Sequence, residues 1–255
     1  MSLAIHTAGS GPDLVLLHGW GMGADVLDEL VPVLSARHKV HVPNLPGYGG
    51  SATCSPYSPE RIADELARNG PAQCAVCGWS LGGQVALVWA HRAPRQVSRL
   101  ALIATTPSFV QRIDWPHAVE AAVLRAFAQA LTDDREGTLR RFAALQSLGD
   151  AQGRKAVAEL RARLLRGACP PAPVLADGLA LLLGTDLRAI LGAIAQPTLV
   201  LHGDRDRLAP LAAGEFLSAA LPNARLAVMK GAAHAPLLSK ARETGAMLEE
   251  FFHER

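Results

Sequence analysis

The segment Gly78-Trp79-Ser80-Leu81-Gly82 stands directly after a short β-rich apolar run and directly before a longer helical one. A chain turning that sharply from strand to helix forces its middle residue into strained dihedrals, and flanking glycines leave room for the turn. Oγ of Ser80 then projects above a helix N-terminus, the placement expected of an exposed nucleophile. The flanking elements disfavour a glycine-rich turn with an incidental serine.

Around this turn, β-rich runs at residues 13–18, 39–43, 73–78, 97–104, 197–203 and 224–229 alternate with helical stretches. That alternation predicts α/β architecture: a parallel sheet with crossover helices. The strand expected to pair with the first run is missing or very short, because little precedes Gly9. Between the fourth and fifth runs, about ninety residues show amphipathic helical segments and no strand. So long an insert is not a loop. The expected organisation is a core of residues 1–104 and 197–255 with a helical cap, residues 105–196, over the strand C-termini, where open α/β sheets bind ligands.

A serine hydroxyl becomes a good nucleophile only when a base takes its proton and an acid orients that base. The order serine, acid, histidine is the order this strand–turn–helix context calls for. Asp206 follows the run at 197–203, and His234 follows the last run within Gly231-Ala232-Ala233-His234-Ala235-Pro236. Asp204 competes with Asp206; the residues up to Pro210 favour Asp206 and leave Asp204 a turn role. His38, His41, His91, His117 and His253 fall away from the strand C-termini, whereas His202 ends a strand and could support the site. No histidine pair has zinc-ligand spacing with a third ligand, so no metal is expected.

Two backbone amides should face the developing oxyanion. Leu81 supplies one, and Trp20, in the loop His18-Gly19-Trp20-Gly21, the other; the Trp20 ring is read as pocket wall or core. The loop Asn44-Leu45-Pro46-Gly47-Tyr48-Gly49-Gly50 opens at the same end, its glycines shaping the turn. No phosphate-binding fingerprint with a downstream ribose acid occurs, so no nucleotide cofactor is expected.

In the cap, residues 138–148 read as a helix with Leu139, Phe142 and Gln146 on one face, and Phe142 and Gln146 are placed over the pocket. Residues 154–166 read as a second helix, with Val157, Leu160 and Leu164 buried and Arg154 and Arg161 on one exposed line. Residues 135–166 hold eight basic and three acidic side chains, which read equally as a solvated face or a binding patch. Cys169-Pro170-Pro171-Ala172-Pro173 marks a break between helices.

The formal charge of +2 gives no reason to expect nucleic acid or an anionic membrane as partner. Residues 1–11 lack a signal-peptide pattern, and no apolar run reaches the ~18 residues a membrane span needs. A soluble, cytoplasmic monomer is expected. Cys74 and Cys77 have redox spacing but lie in a strand, where residues three apart face opposite ways; they read as packing.

With these residues in view, the chain resembles the α/β-hydrolases. Within them it is similar to the carboxylesterases of biotin synthesis, which cleave the methyl ester of pimeloyl-acyl-carrier protein. The likeness runs nearly end to end through His18-Gly19-Trp20-Gly21, Pro46-Gly47-Tyr48-Gly49-Gly50-Ser51, Gly78-Trp79-Ser80-Leu81-Gly82-Gly83, Asp114-Trp115-Pro116, Arg141-Phe142-Ala143-Ala144-Leu145-Gln146 and Ala232-Ala233-His234-Ala235-Pro236. It implies a triad of Ser80, Asp206 and His234, and a substrate held by Trp20, Ser80, Leu81, His234 and Phe142, Ala143, Ala144, Leu145 and Gln146. It also implies transient docking of an acyl-carrier protein on cap arginines, matched by Arg141 and Arg154. Gly137 and Ala158 stand where the family has two more arginines, with Arg140, Lys155 and Arg161 as nearby substitutes.

Three rivals remain: an enol-lactonase, a general short-chain esterase, and a catalytically silent ligand receptor on the same fold. A dehalogenase or epoxide hydrolase is disfavoured, since those chemistries use a carboxylate where this chain has Ser80.

Overall fold

Among the described residues, seven strands form one sheet: β1 (Ile5–Ala8), β2 (Asp13–Leu17), β3 (Lys39–Pro43), β4 (Cys74–Trp79), β5 (Val97–Ile103), β6 (Thr198–Gly203) and β7 (Ala224–Met229). The computed structural model describes residues 2–150, 152–165 and 170–254. The strand order is β1-β3-β2-β4-β5-β6-β7, parallel except for β1. β1 is short, and it pairs antiparallel with β3, Ile5 opposite Pro43 and Ala8 opposite Val40. It does not pair with β2, whose two edges are already taken by β3 and β4.

The winding reverses at β2. From there the chain runs outward to β3 and then returns to β4, so the loops leaving β2 and β4 part over a crevice at the strand C-termini. That crevice receives both the Trp20 loop and the turn at Ser80.

Alternating strand residues feed two buried layers. Leu17, Val76, Leu100 and Val200 pack with helices α2 (Pro59–Asn69), α3 (Leu81–Arg92) and α8 (Leu211–Ala220). Leu16, Cys77, Ile103 and Leu201 pack on the other face, with α1 (Val31–Leu34), α9 (Pro236–Ser239) and α10 (Ala241–His253). Cys74 and Cys77 fall in different layers, both as free thiols. α3 is buried from Leu81 to Ala90, which its almost continuous apolar sequence permits.

Among the described residues, four α-helices lie between β5 and β6, α4 (Ala121–Asp133), α5 (Arg135–Leu145), α6 (Gly153–Leu165) and α7 (Ala172–Gly184), followed by a 3-10 turn at Arg188–Ala193. α5 starts three residues earlier than its apolar pattern suggests, because Asp134 caps it, its Oδ1 accepting from Gly137 N at 2.9 Å. It ends at Leu145, and Gln146 to Asp150 form a turn containing Gly149 at φ +90°. On α6 the buried line runs through Ala156 and Leu160; Val157 is only half-buried. Arg166, Cys169 and the side chains of Lys155 and Leu164 lie outside the described part. No described helix is long and apolar enough to cross a membrane.

Candidate active site

Ser80 sits at the tip of the β4–α3 turn with φ +55° and ψ −117°, a backbone state that L-residues rarely adopt. The turn closes because its glycines are bare. A Cβ on Gly78 would overlap the Gly82 carbonyl, and one on Gly82 would overlap the Leu17 carbonyl of β2. Ser80 N donates to Ile103 O at 2.9 Å, and the Thr105 hydroxyl donates to Ser80 O at 3.3 Å, so β5 and its loop brace the strained residue from behind.

His234 reaches this serine from the loop after β7, its Nε2 2.9 Å from Ser80 Oγ. Its Nδ1 lies 2.8 Å from Asp206 Oδ2. Since a carboxylate can only accept, Nδ1 carries the proton and Nε2 is free to accept from the serine hydroxyl. The other oxygen of Asp206, Oδ1, accepts from Leu208 N at 2.8 Å and Ala209 N at 2.9 Å, which fixes the carboxylate in its own turn. All three side chains are buried. Asp204 is elsewhere: its Oδ1 accepts from Gly231 N at 2.6 Å and ties the β6 and β7 loops together.

Two further histidines shape the floor. Buried His202 has a ring nitrogen 2.6 Å from Ala209 O, behind Asp206, and burial lowers its pKa. His18 is wholly buried, which pushes its pKa down to about 4. It donates from Nδ1 to Gly19 O at 2.9 Å and accepts at Nε2 from Leu45 N at 3.0 Å, linking the loops after β2 and β3.

Above Ser80 is a narrow cavity of about 70 Å³. Apart from Ser80, every lining side chain is apolar: Trp20, Phe109, Val119, Leu208, and residues of α4, α5 and α7. Phe142 and Leu145 are the α5 residues that reach it. The Trp20 ring packs edge-on to Phe142 at 5.1 Å and to Phe127 at 5.6 Å, so it serves as both wall and core. Among the described residues, the backbone amides of Trp20 and Leu81 have no acceptor in the protein. Donors left over beside a strained serine can take up a substrate oxyanion.

The α/β hydrolase fold family matches residues 12–241. The chain belongs to that family. A Nitrosomonas europaea protein named pimeloyl-[acyl-carrier protein] methyl ester esterase is 43% identical over 238 residues, covering 93% of this chain and 94% of its own. An Aromatoleum aromaticum protein of the same name is 45% identical over 94% of this chain and 97% of its own. Among solved structures, an Exiguobacterium antarcticum esterase superposes with a TM-score of 0.91 at 21% identity, over 99% of this chain and 96% of its own. The Burkholderia xenovorans LB400 enol-lactonase reaches 0.86 at 22% identity, over 99% and 96%.

Other residues of the expected site of this α/β-hydrolase lie further out. Ala143 is buried in the layer that holds Trp79 and Ile103, and Ala144 is half-buried. Gln146 is buried but does not line the cavity; its carbonyl accepts from His234 N at 2.9 Å. Among the cations of α5 and α6, Arg140 pairs with Glu136 at 2.5 Å and Arg141 with Asp134 at 3.5 Å. Arg154 and Arg161 are exposed. Arg163 instead binds Asp25 and lies 3.7 Å from Asp28, joining α6 to the core.

The sequence reading missed the α4 and α7 walls, where Val123, Leu124, Leu179 and Leu182 line the cavity. Their helical spacing was visible, but apolar residues at such spacing pack against a core just as readily.

Proposed function

We propose that this chain is a serine carboxylesterase that hydrolyses the methyl ester of pimeloyl-[acyl-carrier protein], releasing methanol, as a cytoplasmic monomer. The observation that carries the reading is the continuous hydrogen-bond line from Asp206 through His234 to Ser80 at the floor of an apolar cavity. The names of relatives more than 40% identical over nearly the whole chain support the substrate.

Ser80 Oγ attacks the ester carbonyl as His234 Nε2 takes its proton, and Asp206 stabilises the imidazolium through Nδ1. The amides of Trp20 and Leu81 receive the oxyanion. His234 returns the proton to the departing methoxide, giving methanol and an acyl-Ser80. Water, deprotonated by the same nitrogen, then attacks the acyl carbon; the bond to Ser80 Oγ breaks, His234 returns the proton to Oγ, and the carboxylate is freed. The helices between β5 and β6 act as the cap: they surround the acyl methylenes, while the carrier protein stays outside and its prosthetic arm spans the gap. The new carboxylate finds no cation among the lining side chains, and burying an unpaired charge is costly, which favours product release.

The test incubates the purified protein and its Ser80→Ala variant with carrier-bound pimeloyl methyl ester and follows methanol release. Wild type should turn over, and the variant should be slower by several orders of magnitude. Rapid turnover by the variant would remove Ser80 as nucleophile. Hydrolysis of free short-chain esters with none of the carrier-bound ester would replace the substrate by a general esterase.

A further inference from the structure

We propose that Asp150, in the turn between α5 and α6, is a positioning residue for His234, so that the cap holds the catalytic base in register. This rests on the catalytic reading above. The loop bearing His234 is poor in means of fixing itself: Gly231 has φ +74°, and Ala232, Ala233 and Ala235 are buried methyl side chains. Its polar anchors therefore come from elsewhere, and several come from one turn of five residues. Asp150 Oδ2 accepts from Ala233 N at 3.2 Å and from the Ser239 hydroxyl at 2.6 Å, gripping the loop on both sides of the histidine. Gln146 O accepts from His234 N itself. Gly149 O accepts from Arg205 Nη1 at 2.8 Å, and Arg205 N donates to Ala232 O at 3.0 Å, which brings the residue before Asp206 into the same set.

The turn is in turn fixed by Asp150 Oδ1, which accepts from Gln152 N at 2.7 Å where α6 begins. One carboxylate thus ends the link between two cap helices and, with its second oxygen, holds the base loop. Bonds to an ionised acceptor are about twice as strong as neutral ones. A displacement of about 1 Å at a catalytic group can cost about 100-fold in rate. Loss of Asp150 should therefore act on turnover rather than on binding, because it lines no part of the cavity.

The experiment measures kcat and KM for a small soluble ester, p-nitrophenyl acetate, with Asp150→Ala, Asp150→Asn, Ser239→Ala and Ser80→Ala, each standardised by phosphonate titration where Ser80 is present. Asp150→Ala should lower kcat about 10- to 100-fold with KM within about twofold. Asp150→Asn, whose amide oxygen can replace Oδ2 while its NH2 group meets the Gln152 N–H, should recover part of the loss. Ser239→Ala should lose less than Asp150→Ala, and it decides the matter if that variant does not fold: wild-type kcat in it then sinks the proposal. Wild-type kcat in folded Asp150→Ala, or no recovery by Asn together with a matching rise in KM, also overturns it. Should Ser80→Ala turn over normally, the catalytic reading itself fails, an outcome separate from either of these.

Discussion

Trp79 Nε1 donates a 2.8 Å hydrogen bond to the carbonyl oxygen of His234. The residue before the proposed nucleophile thus holds the main chain of the proposed base, and the two rings lie 5.9 Å apart. Trp79→Phe keeps most of the apolar contact but leaves that carbonyl buried without its donor, a change that costs about 1–3 kcal/mol. The expected result is a lower melting temperature and a kcat reduced about tenfold, with KM nearly constant. An unaltered kcat would limit the bond to a structural role.

The two aspartates after β6 should separate cleanly. Asp206→Asn cannot favour the proton on His234 Nδ1 in the same way, and kcat should fall by up to about 10⁴-fold. Asp204→Asn keeps an oxygen for Gly231 N at an exposed position and should cost less than about threefold. Steady-state kinetics of both variants checks the ranking.

The cap cations should divide by what they touch. Changing Arg141, Arg154 and Arg161 together to Glu should lower kcat/KM for a carrier-bound ester and spare a soluble one, because rim charges steer encounter. Added salt should narrow the gap, as the Debye length falls from about 8 Å at physiological ionic strength. Arg163→Ala should behave otherwise: it frees α6 from Asp25 and should lower the melting temperature, with any loss of activity the same for both esters. Equal loss on both esters in the triple variant would defeat the docking idea.

His18 makes the fold acid-sensitive. Its folded pKa of about 4 lies below the usual 6.5, so between these values the unfolded chain binds a proton that the folded chain refuses. Stability contributed by the neutral ring is complete above pH 6.5 and is lost as pH falls toward 4. In His18→Gln the slope of unfolding free energy against pH in this window should be shallower by up to about 1.4 kcal/mol per unit. Urea titrations at several pH values provide the comparison, and identical slopes would refute it.

Much of the architecture can be read from residue order. The strands Lys39–Pro43 and Ala224–Met229 match their apolar runs to the residue, and the glycine-flanked serine announces the sharp turn between β4 and α3. What escapes sequence reading is held by groups that every residue shares. The bond between His234 N and Gln146 O joins main-chain atoms, and no side-chain pattern marks it. β1 is too short for alternation to reveal its partner, and the start of α5 is set by the Asp134 side chain rather than by apolar spacing.

Trp20 Nε1 donates to Leu175 O of α7 at 3.0 Å, and Arg163 of α6 is fastened to Asp25. α4 has no such stitch: among the described residues, its side-chain hydrogen bonds stay within the cap. It also carries Val123, 55% exposed at the cavity edge beside Leu145 of α5, 43% exposed. The cover over Ser80 is therefore tied to the core by hydrogen bonds along α6 and α7, and along α4 it rests on apolar packing such as Phe127 against Trp20. A ligand approaching along that edge meets the apolar side chains of Val123 and Leu145 before it reaches Ser80.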